Sequence, residues 1–279
     1  MNPRQRQNLR QKIRQWYQAN APRLPWRQTR NPYHIFVSEI MLQQTQIPRV
    51  LEKYPRFLKQ FPTIRVLANT SLANVLATWH GMGYNRRGLY LKQAAELIVK
   101  KHSGRVPKTE EELRALPGVG HYSARAILCF AYNECKPFIE TNIRRVIIHE
   151  LTHELKNKII SDSEILAILE EIQPKKNRRE WYWALMDYGR DALQHVPNPN
   201  RLSKHYVKQK RFEGSSRYVR AKIISYLVAN KKATEEELFL SLKEDRHLDT
   251  LSQEDIARTL NDLQKEGLVK KAELFFKIS

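Results

Sequence analysis

The chain has 279 residues, of which 41% are hydrophobic and 28% charged, as is typical of a soluble globular protein. Its 49 Lys and Arg outnumber its 29 Asp and Glu, and they are spread along the sequence, which favours a folded surface that binds DNA or RNA over a basic tail. Two cysteines, Cys129 and Cys135, exclude a disulfide framework and a four-cysteine metal site. Since neither a signal peptide nor a membrane span is indicated, we expect a cytoplasmic protein with reduced cysteines and Cys129 in the core.

Amphipathic helices fill the first two hundred residues. Leu9 and Ile13 begin a series of apolar residues at helical spacing, and similar series follow along the chain. The segments TEEE from Thr109 and SDSE from Ser161 are capping boxes, which mark helix starts. Strand signals are scarce, so the sequence predicts an all-α domain over residues 1–195.

The segment LPGVG at residues 116–120 separates two of these helices. Gly118 and Gly120 allow the backbone to approach a ligand closely, and the helix that follows begins with free N–H groups. This arrangement binds a phosphate without reading sequence. Taken alone, the pentapeptide fits equally well a turn that needs glycine only for its backbone conformation.

Two carboxylates lie among apolar residues. Glu39 occurs in SEIMLQQTQ (residues 38–46), and Glu140 occurs in FIETNIRRV (residues 138–146), twenty residues after the LPGVG segment. Either residue by itself is compatible with an ordinary surface or ion-paired group. Their sequence context makes them candidates for catalysis.

The pattern changes after residue 195. Residues 196–216 contain prolines and several Lys and Arg, which indicates a basic linker. Residues 217–279 show three amphipathic helices, a stop at Gly267 and an alternating segment that fits a β-hairpin. We therefore predict a small winged-helix-like α+β domain, which is often a docking module for nucleic acid or protein, although a helical appendage without a partner also fits.

Taken together, the segments of residues 20–195 resemble the helix–hairpin–helix (HhH-GPD) superfamily of DNA glycosylases, specifically its adenine DNA glycosylase (MutY) branch and the related thymine-mismatch enzymes. Their order and spacing match as well. The motifs are LPWR (24–27), NPY (31–33), SEIMLQQTQ (38–46), GMGY (81–84), LPGVG (116–120), TNIRRV (141–146) and ALMDYG (184–189).

This resemblance implies a domain of two helical lobes that acts in base excision repair. Such an enzyme binds double-stranded DNA with a mismatch or lesion, flips one base out and hydrolyses its N-glycosidic bond. We expect a monomer, associated with the nucleoid if the source is bacterial.

Three catalytic residues follow from the resemblance. Glu140 matches an aspartate that stabilises the sugar cation, and it is one methylene longer. Glu39 matches a glutamate that protonates the leaving base and manages the water. Tyr122 stands where bifunctional relatives carry a lysine that attacks the sugar, so the chain is expected to remove a base without efficient strand cleavage. Adenine-specific members usually have serine at this position, and thymine-mismatch members have tyrosine.

The resemblance also implies residues that contact DNA. Some wedge into the base stack, some hold the backbone at the hairpin, where relatives bind a monovalent cation, and some meet phosphates. These residues are Gln43, Gln44, Tyr84, Arg86, Arg87, Leu116, Gly118, Val119, Gly120, Asn142, Arg144 and Arg145.

Departures from the family concern the cofactor and the target base. No cysteine follows the ALMDYG segment, so we expect no iron–sulfur cluster and no other cofactor. Arg27 and Trp183 are the predicted base-pocket residues, and Trp183 replaces a Glu or Gln that reads adenine in relatives. The 8-oxoguanine-recognising domain is replaced by the winged helix. Tyr122 and Trp183 favour thymine or uracil opposite guanine slightly over adenine, and another lesion remains open.

Two hypotheses without catalysis stay beside the glycosylase. The Glu140 replacement is compatible with a mismatch- or lesion-binding protein that has lost the chemistry. The winged helix is compatible with a transcription-type regulator in which the large domain is a scaffold.

Overall fold

A computed structural model of the chain describes residues 2–155, 159–204, 206–207 and 211–279. These residues are mostly helical, with three short strands after residue 231, so the predicted fold class is confirmed. No helix among them is long and apolar enough to cross a bilayer. The elements are α1 (Pro3–Asn20), α2 (Pro32–Leu42), α3 (Ile47–Gln60), α4 (Ile64–Asn69), α5 (Leu72–Trp79), α6 (Arg86–His102), α7 (Glu110–Arg114), α8 (His121–Ile127), α9 (Thr141–Leu155), α10 (Asp162–Ile172), α11 (Arg178–Asp187), α12 (Ser216–Asn230), β1 (Lys232–Ala233), α13 (Glu235–Lys243), α14 (Gln253–Lys265), β2 (Val269–Ala272) and β3 (Phe275–Ile278).

Capping side chains set several helix starts. Ser161 caps α10 by accepting a hydrogen bond from the Glu164 N–H, and the Glu164 side chain accepts from the Ser161 N–H in return. The same reciprocal pair begins α13 at Thr234 and α14 at Ser252. Each pair satisfies two backbone N–H groups that a helix leaves without partners, which is why the capping box at Ser161 located the start of α10 from sequence.

The chain divides into two compact units, each built from separate stretches of sequence. The first unit contains Met1–Ile35, Lys108–Arg114 and Val119–Lys208. Its core joins α1 to α8–α11 through buried apolar side chains such as Ile13, Ile147 and Tyr182. Burial of such a continuous apolar cluster is the main source of stability of the unit.

The second unit contains Phe36–Pro107, Ala115–Gly118 and Gln209–Ser279. Its carboxyl-terminal helices do not form a separate core: Leu72 and Leu76 of α5 and Leu89 of α6 belong to the same buried cluster as Ile223 of α12 and Leu260 of α14. The carboxyl-terminal segment is therefore an integral part of this unit.

Residues 216–278 have the topology of a winged helix. Their elements follow the order α12, β1, α13, α14, β2, β3, and the antiparallel sheet has the strand order β1-β3-β2. Gly267 follows α14 and stops the helix there. Its φ is positive, 76°, which glycine adopts without strain. The predicted winged-helix-like segment is confirmed.

Part of the predicted linker is packed against the first unit. A 3-10 helix at Pro199–Leu202 contacts α9, and the Asn200 Nδ2 donates to the Thr141 carbonyl oxygen at 3.1 Å. Residues 205 and 208–210 of the linker lie outside the described residues. The boundaries 1–195, 196–216 and 217–279 stay a prediction about domains.

The two cysteines are joined by a disulfide between Cys129 and Cys135. The expected reduced thiols are therefore not what the structure contains, whereas the expected burial of Cys129 is confirmed. The two cysteines are six positions apart in sequence, and the turn at Asn133, which has a φ of 64°, brings them together.

Candidate active site

Glu140 lies directly before α9, where free backbone N–H groups attract a carboxylate. Its Oε1 accepts a hydrogen bond from the Ile143 N–H at 2.7 Å, and its Oε2 accepts one from the Asn142 Nδ2 at 3.2 Å. Burial is the largest influence and raises the pKa of Glu140 to about 7, although these bonds and the charge of Arg144 act in the opposite direction. The carboxyl group therefore exchanges a proton near neutral pH.

Gly189 lies in close contact with the start of α9. A Cβ atom at Gly189 would lie 2.3 Å from the Asn142 carbonyl oxygen, which is shorter than any tolerable contact. Only glycine permits this approach of the ALMDYG segment to the residues that hold Glu140. The sequence prediction missed this role, and the signal that was available is a glycine inside a helical pattern.

Tyr122 belongs to an aromatic cluster in the same unit. Its ring meets the Phe138 ring edge-on with centroids 5.8 Å apart, and the Phe138 ring stacks on the Tyr182 ring at 4.2 Å. Phe138 lies two residues before Glu140, so this cluster anchors the segment that presents the carboxylate. A phenol cannot form a Schiff base, which agrees with the role that the sequence assigns to Tyr122.

Arg27 and Trp183, the predicted base-pocket residues, lie together. The Arg27 guanidinium is 5.4 Å from the centre of the Trp183 ring, which stacks on Phe130 at 5.5 Å. The polar atoms of Arg27 are occupied, because Nη1 and Nη2 donate to the fully buried Asp187 at 2.5 and 2.9 Å. Asp187 thus holds Arg27 beside Trp183, and the assignment of both residues to the base pocket stays a prediction.

Arg144 and Arg145 do not offer open guanidinium groups to phosphates. Arg144 pairs with both carboxylate oxygens of Asp162 at 2.8 and 3.0 Å. Arg145 donates to the Gly189 carbonyl oxygen at 3.3 Å, and its Nε is buried. Both guanidinium groups thus have partners within the protein, and their contacts with phosphates stay predictions.

Glu39 lies in α2 within the second unit, and only 3% of the residue is exposed. Val37 and Ile40 beside it are also buried, so Glu39 has apolar neighbours in α2. Buried carboxylates are rare because water is lost from the charged form, so this placement marks Glu39 as unusual. Its role as a proton donor stays a prediction.

Arg87 is buried and connects two loops of the second unit. Its guanidinium donates to the Met41 carbonyl at 2.9 Å, to the Thr45 Oγ1 at 2.8 Å and to the Gln43 carbonyl after α2. It also donates to the Met82 carbonyl in the GMGY segment at 3.1 Å. The Nη1 and Nη2 donors of Arg87 are thus engaged within the protein, and its contact with a phosphate stays a prediction. Burial lowers its pKa to about 10, which leaves the group charged at neutral pH.

The predicted wedge residues stand on the loops that Arg87 joins. The Gln43 Nε2 donates to the Gly118 carbonyl oxygen at 3.1 Å, which links this loop to the LPGVG segment. Gln44 and Tyr84 both have a positive φ, 53° and 47°, although neither is glycine. Such backbone strain is found where surrounding contacts enforce it, often at functional loops.

Side chains of the winged-helix segment contact the GMGY segment and Arg86, which follows it. The Arg217 Nη1 of α12 donates to the Tyr84 hydroxyl at 3.0 Å. Arg86 pairs with Glu266, which also pairs with Arg220. Arg86 is therefore ion-paired at the surface, and its contact with a phosphate stays a prediction. Sequence reasoning missed Arg217, because 133 residues separate it from Tyr84.

The LPGVG hairpin presents backbone rather than side chains. Leu116 and Val119 are buried and anchor it, whereas Gly120 is exposed directly before α8. Gly118 has a φ of 76°, and a Cβ there would lie 3.0 Å from the Tyr90 side chain. Burial of Leu116 and Val119 leaves main-chain groups of the hairpin for a contact with DNA, which stays a prediction.

The residues do not fit an iron–sulfur cluster, which needs four thiolates. The sequence has two cysteines, and the structure joins them to each other. Among the described residues, no group of three or more His, Cys, Asp or Glu side chains could hold a metal ion.

Comparisons with known proteins agree with these motifs. The family model described as "HhH-GPD superfamily base excision DNA repair protein" matches residues 37–175. A Mycobacterium tuberculosis protein named adenine DNA glycosylase is 39% identical over 179 residues, which are 62% of this chain and 58% of that protein. A protein of the same name from Buchnera aphidicola is 36% identical over 180 residues, which are 64% of this chain and 51% of that protein. The chain thus spans little more than half the length of these relatives.

A solved structure of a thermostable thymine-DNA glycosylase superposes with a TM-score of 0.63. The match covers 73% of this chain and 97% of that protein at 24% sequence identity, so it shows a common fold. Through residues 37–175, the chain therefore belongs to the HhH-GPD superfamily of base excision DNA repair proteins.

Proposed function

We propose that this chain is a monofunctional DNA glycosylase, which flips a mispaired or damaged base out of duplex DNA and hydrolyses its N-glycosidic bond. The surroundings of Glu140 carry this proposal. A partly exposed carboxyl group, held at the start of α9 by Asn142 and Ile143 and with a pKa of about 7, combines proton exchange with negative charge at one position.

The proposed reaction uses that negative charge. As the base leaves, positive charge develops on the sugar, and the ionised form of Glu140 stabilises it electrostatically. Asn142 and the Ile143 N–H hold the carboxylate in place, so little reorganisation is needed when the charge develops. In this proposal Glu39 supplies the proton to the leaving base.

Strand cleavage is not part of the proposal. Tyr122 occupies the position of the lysine that bifunctional relatives use, and its ring is packed against Phe138. Without an amine at this position no Schiff base forms with the sugar, so an abasic site is the product.

For the target base, two lines of argument differ. Tyr122 and Trp183 favour thymine or uracil opposite guanine, which we take as the first substrate to test. The similarity to proteins named adenine DNA glycosylase favours adenine opposite guanine or 8-oxoguanine. A lesion-binding protein without catalysis is the remaining alternative, since Glu140 replaces an aspartate.

A single-turnover base-release assay tests the proposal. Labelled duplexes with T:G, U:G, A:G, A:8-oxoguanine and hypoxanthine pairs are incubated with excess protein, and each sample is divided and read with and without alkali. We expect release from one class of duplex, with strand breaks only after alkali. Absence of base release from a Glu140→Gln preparation purified in parallel excludes a contaminating glycosylase.

The other outcomes separate the alternatives. Strand breaks without alkali would show lyase activity and contradict the role given to Tyr122. Tight binding to one mismatch without release from any duplex would support the lesion-binding alternative instead. Light scattering of the free and DNA-bound protein checks the monomeric state that we propose.

A further inference from the structure

A row of three lysines crosses the outer face of the winged-helix sheet. Lys277 of the central strand β3 lies opposite Lys232 of β1 on one side and opposite Lys270 of β2 on the other. All three are exposed, whereas Phe276 and Ile278 of the same strand are buried on the inner face. We call Lys232, Lys277 and Lys270 the lysine row.

This arrangement is unfavourable without an anion. Like charges directly opposite each other on a sheet repel, and each pair destabilises the sheet slightly. Within the part of the chain that the structure describes, no carboxylate forms an ion pair with any residue of the lysine row. Lysines on edge strands also prevent aggregation, but Lys277 lies on the central strand, where that explanation does not apply.

The rest of the segment does not share this charge. Residues 217–279 contain twelve Lys and Arg and eleven Asp and Glu, so the segment as a whole is nearly neutral. The exposed face of α14, the helix that a winged helix commonly inserts into DNA, carries Glu254 and Asp262 beside Arg258 and Lys265. Positive charge is therefore concentrated on the sheet.

One lysine of the row is also held in place. The Lys232 Nζ lies 4.2 Å from the centre of the Phe275 ring, a cation–π contact on the outer face of the sheet. The hairpin tip beside it exposes Leu274 to 75%. A fixed ammonium group loses less conformational entropy on binding than a free lysine side chain does.

We propose that the lysine row binds phosphates of duplex DNA, so that the sheet of the winged helix, and not α14, is a second DNA contact of this protein. The proposal rests on the proposed function in taking duplex DNA as the polyanion. A regular row of cations on a twisted sheet suits the regular phosphates of a duplex, and such contacts add affinity without reading sequence.

The test compares two triple variants of the full chain. Lys232→Gln/Lys270→Gln/Lys277→Gln removes the lysine row, and Lys243→Gln/Arg258→Gln/Lys265→Gln removes three exposed charges from α13 and α14. Binding to an undamaged labelled duplex is measured by fluorescence anisotropy from low to moderate salt. Thermal unfolding by circular dichroism checks that both variants fold.

We expect the lysine-row variant to bind about 10- to 100-fold more weakly, and its slope of log K against log salt to fall by about 2–3, because each phosphate contact contributes about 0.9. The helix variant should keep a slope within about 1 of the wild type. Equal losses in the two variants, or no loss in the lysine-row variant, would overturn the proposal. So would binding of the row to anionic phosphatidylserine vesicles with no effect on DNA.

This result does not depend on catalysis. Loss of DNA affinity in the lysine-row variant, with no base release even from the wild type, would uphold the lysine row and refute the glycosylase. Base release by the wild type with unchanged affinity in the lysine-row variant would uphold the glycosylase and refute the lysine row. Absence of any DNA binding by the wild type would refute both.

Discussion

Two carboxylates of the first unit, Glu140 before α9 and Asp187 at the end of α11, have contrasting partners. Asp187 is fully buried and pairs with Arg27 at 2.5 and 2.9 Å and with Arg190 at 2.9 Å. Glu140 retains some exposure and accepts hydrogen bonds from two uncharged donors. Asp187 lies in the ALMDYG segment and Glu140 directly before the TNIRRV segment, so a place in or beside such a segment does not distinguish them.

The charge of the partners is the difference that matters. Two guanidinium groups neutralise Asp187, so its carboxylate joins α11 to the short 3-10 helix at Pro25–Arg27. Neutral donors leave the protonated and ionised forms of Glu140 close in free energy at neutral pH. Burial with cationic partners therefore indicates a structural role, and burial with neutral partners at a helix start indicates a reactive group.

The largest effect is expected for Asp187→Asn. Removal of the charge leaves the buried Arg27 guanidinium without its anion, whereas Arg190 keeps Asp191, so the free energy of unfolding should fall by about 3–5 kcal/mol. Chemical denaturation measures it. Asp162→Asn is the matched control, because the Arg144–Asp162 pair is more exposed and should contribute less than about 1 kcal/mol. Equal losses would refute the contrast drawn here.

Glu140→Gln is expected to act on the reaction. It keeps an oxygen that accepts from the Ile143 N–H but removes the negative charge, so single-turnover base release should fall at least about 100-fold. Binding to the same duplex should change little. Retained release would remove Glu140 from the mechanism. Glu140→Asp, which restores the family residue, measures how much the extra methylene lowers the rate of base release.

Arg87→Lys extends the comparison to a buried cation with neutral partners. A lysine keeps the charge but offers three donors from a single nitrogen, so several carbonyl groups of the two loops lose their partner. We expect the free energy of unfolding to fall by about 1–3 kcal/mol. Arg86→Lys, at the exposed neighbouring position, should cost less than about 1 kcal/mol. Similar values for both variants would show that the buried network is unimportant.

The smallest effect is the pH dependence of base release. Because the pKa of Glu140 is about 7, the ionised fraction rises about tenfold between pH 6 and pH 8, and the single-turnover rate should rise with it. A rate that is flat over this range would exclude ionised Glu140 as the limiting group.

The same shift predicts a change in stability of definite sign. Folding raises the pKa of Glu140 from its ordinary 4.5 to about 7, so the folded state favours the protonated form. Its contribution to stability is therefore fully present below pH 4.5 and is lost as the pH rises through 7. Glu140→Gln should remove this decline, which denaturation at pH 5 and pH 8 measures.

Local patterns predicted most of the fold. Capping boxes at Ser161, Thr234 and Ser252 satisfy helix ends from residues three positions apart, so the sequence contains all the information that they need. The alternation after Gly267 predicted a hairpin for the same reason. Such signals depend on neighbours along the chain and not on tertiary contacts.

The candidate site was less predictable, because its contacts join distant residues. Arg86 and Arg87 are neighbours of the same type, yet one pairs with Glu266 at the surface and the other is buried beneath two loops. No local pattern separates them. Tertiary packing gives Arg86, Arg87 and Arg144 partners within the protein that the sequence could not show, and their contacts with phosphates stay predictions.

The shared core of α5, α6 and α12–α14 has a consequence for synthesis of the protein on the ribosome. Leu72, Leu76 and Leu89 emerge early, but the side chains that cover them belong to residues 219–278. At about 5–20 residues per second, more than 100 residues must be translated before these leucines find their partners, a delay of roughly ten seconds. Nascent chains of this protein therefore expose these apolar side chains for that time, before the core of the second unit can close.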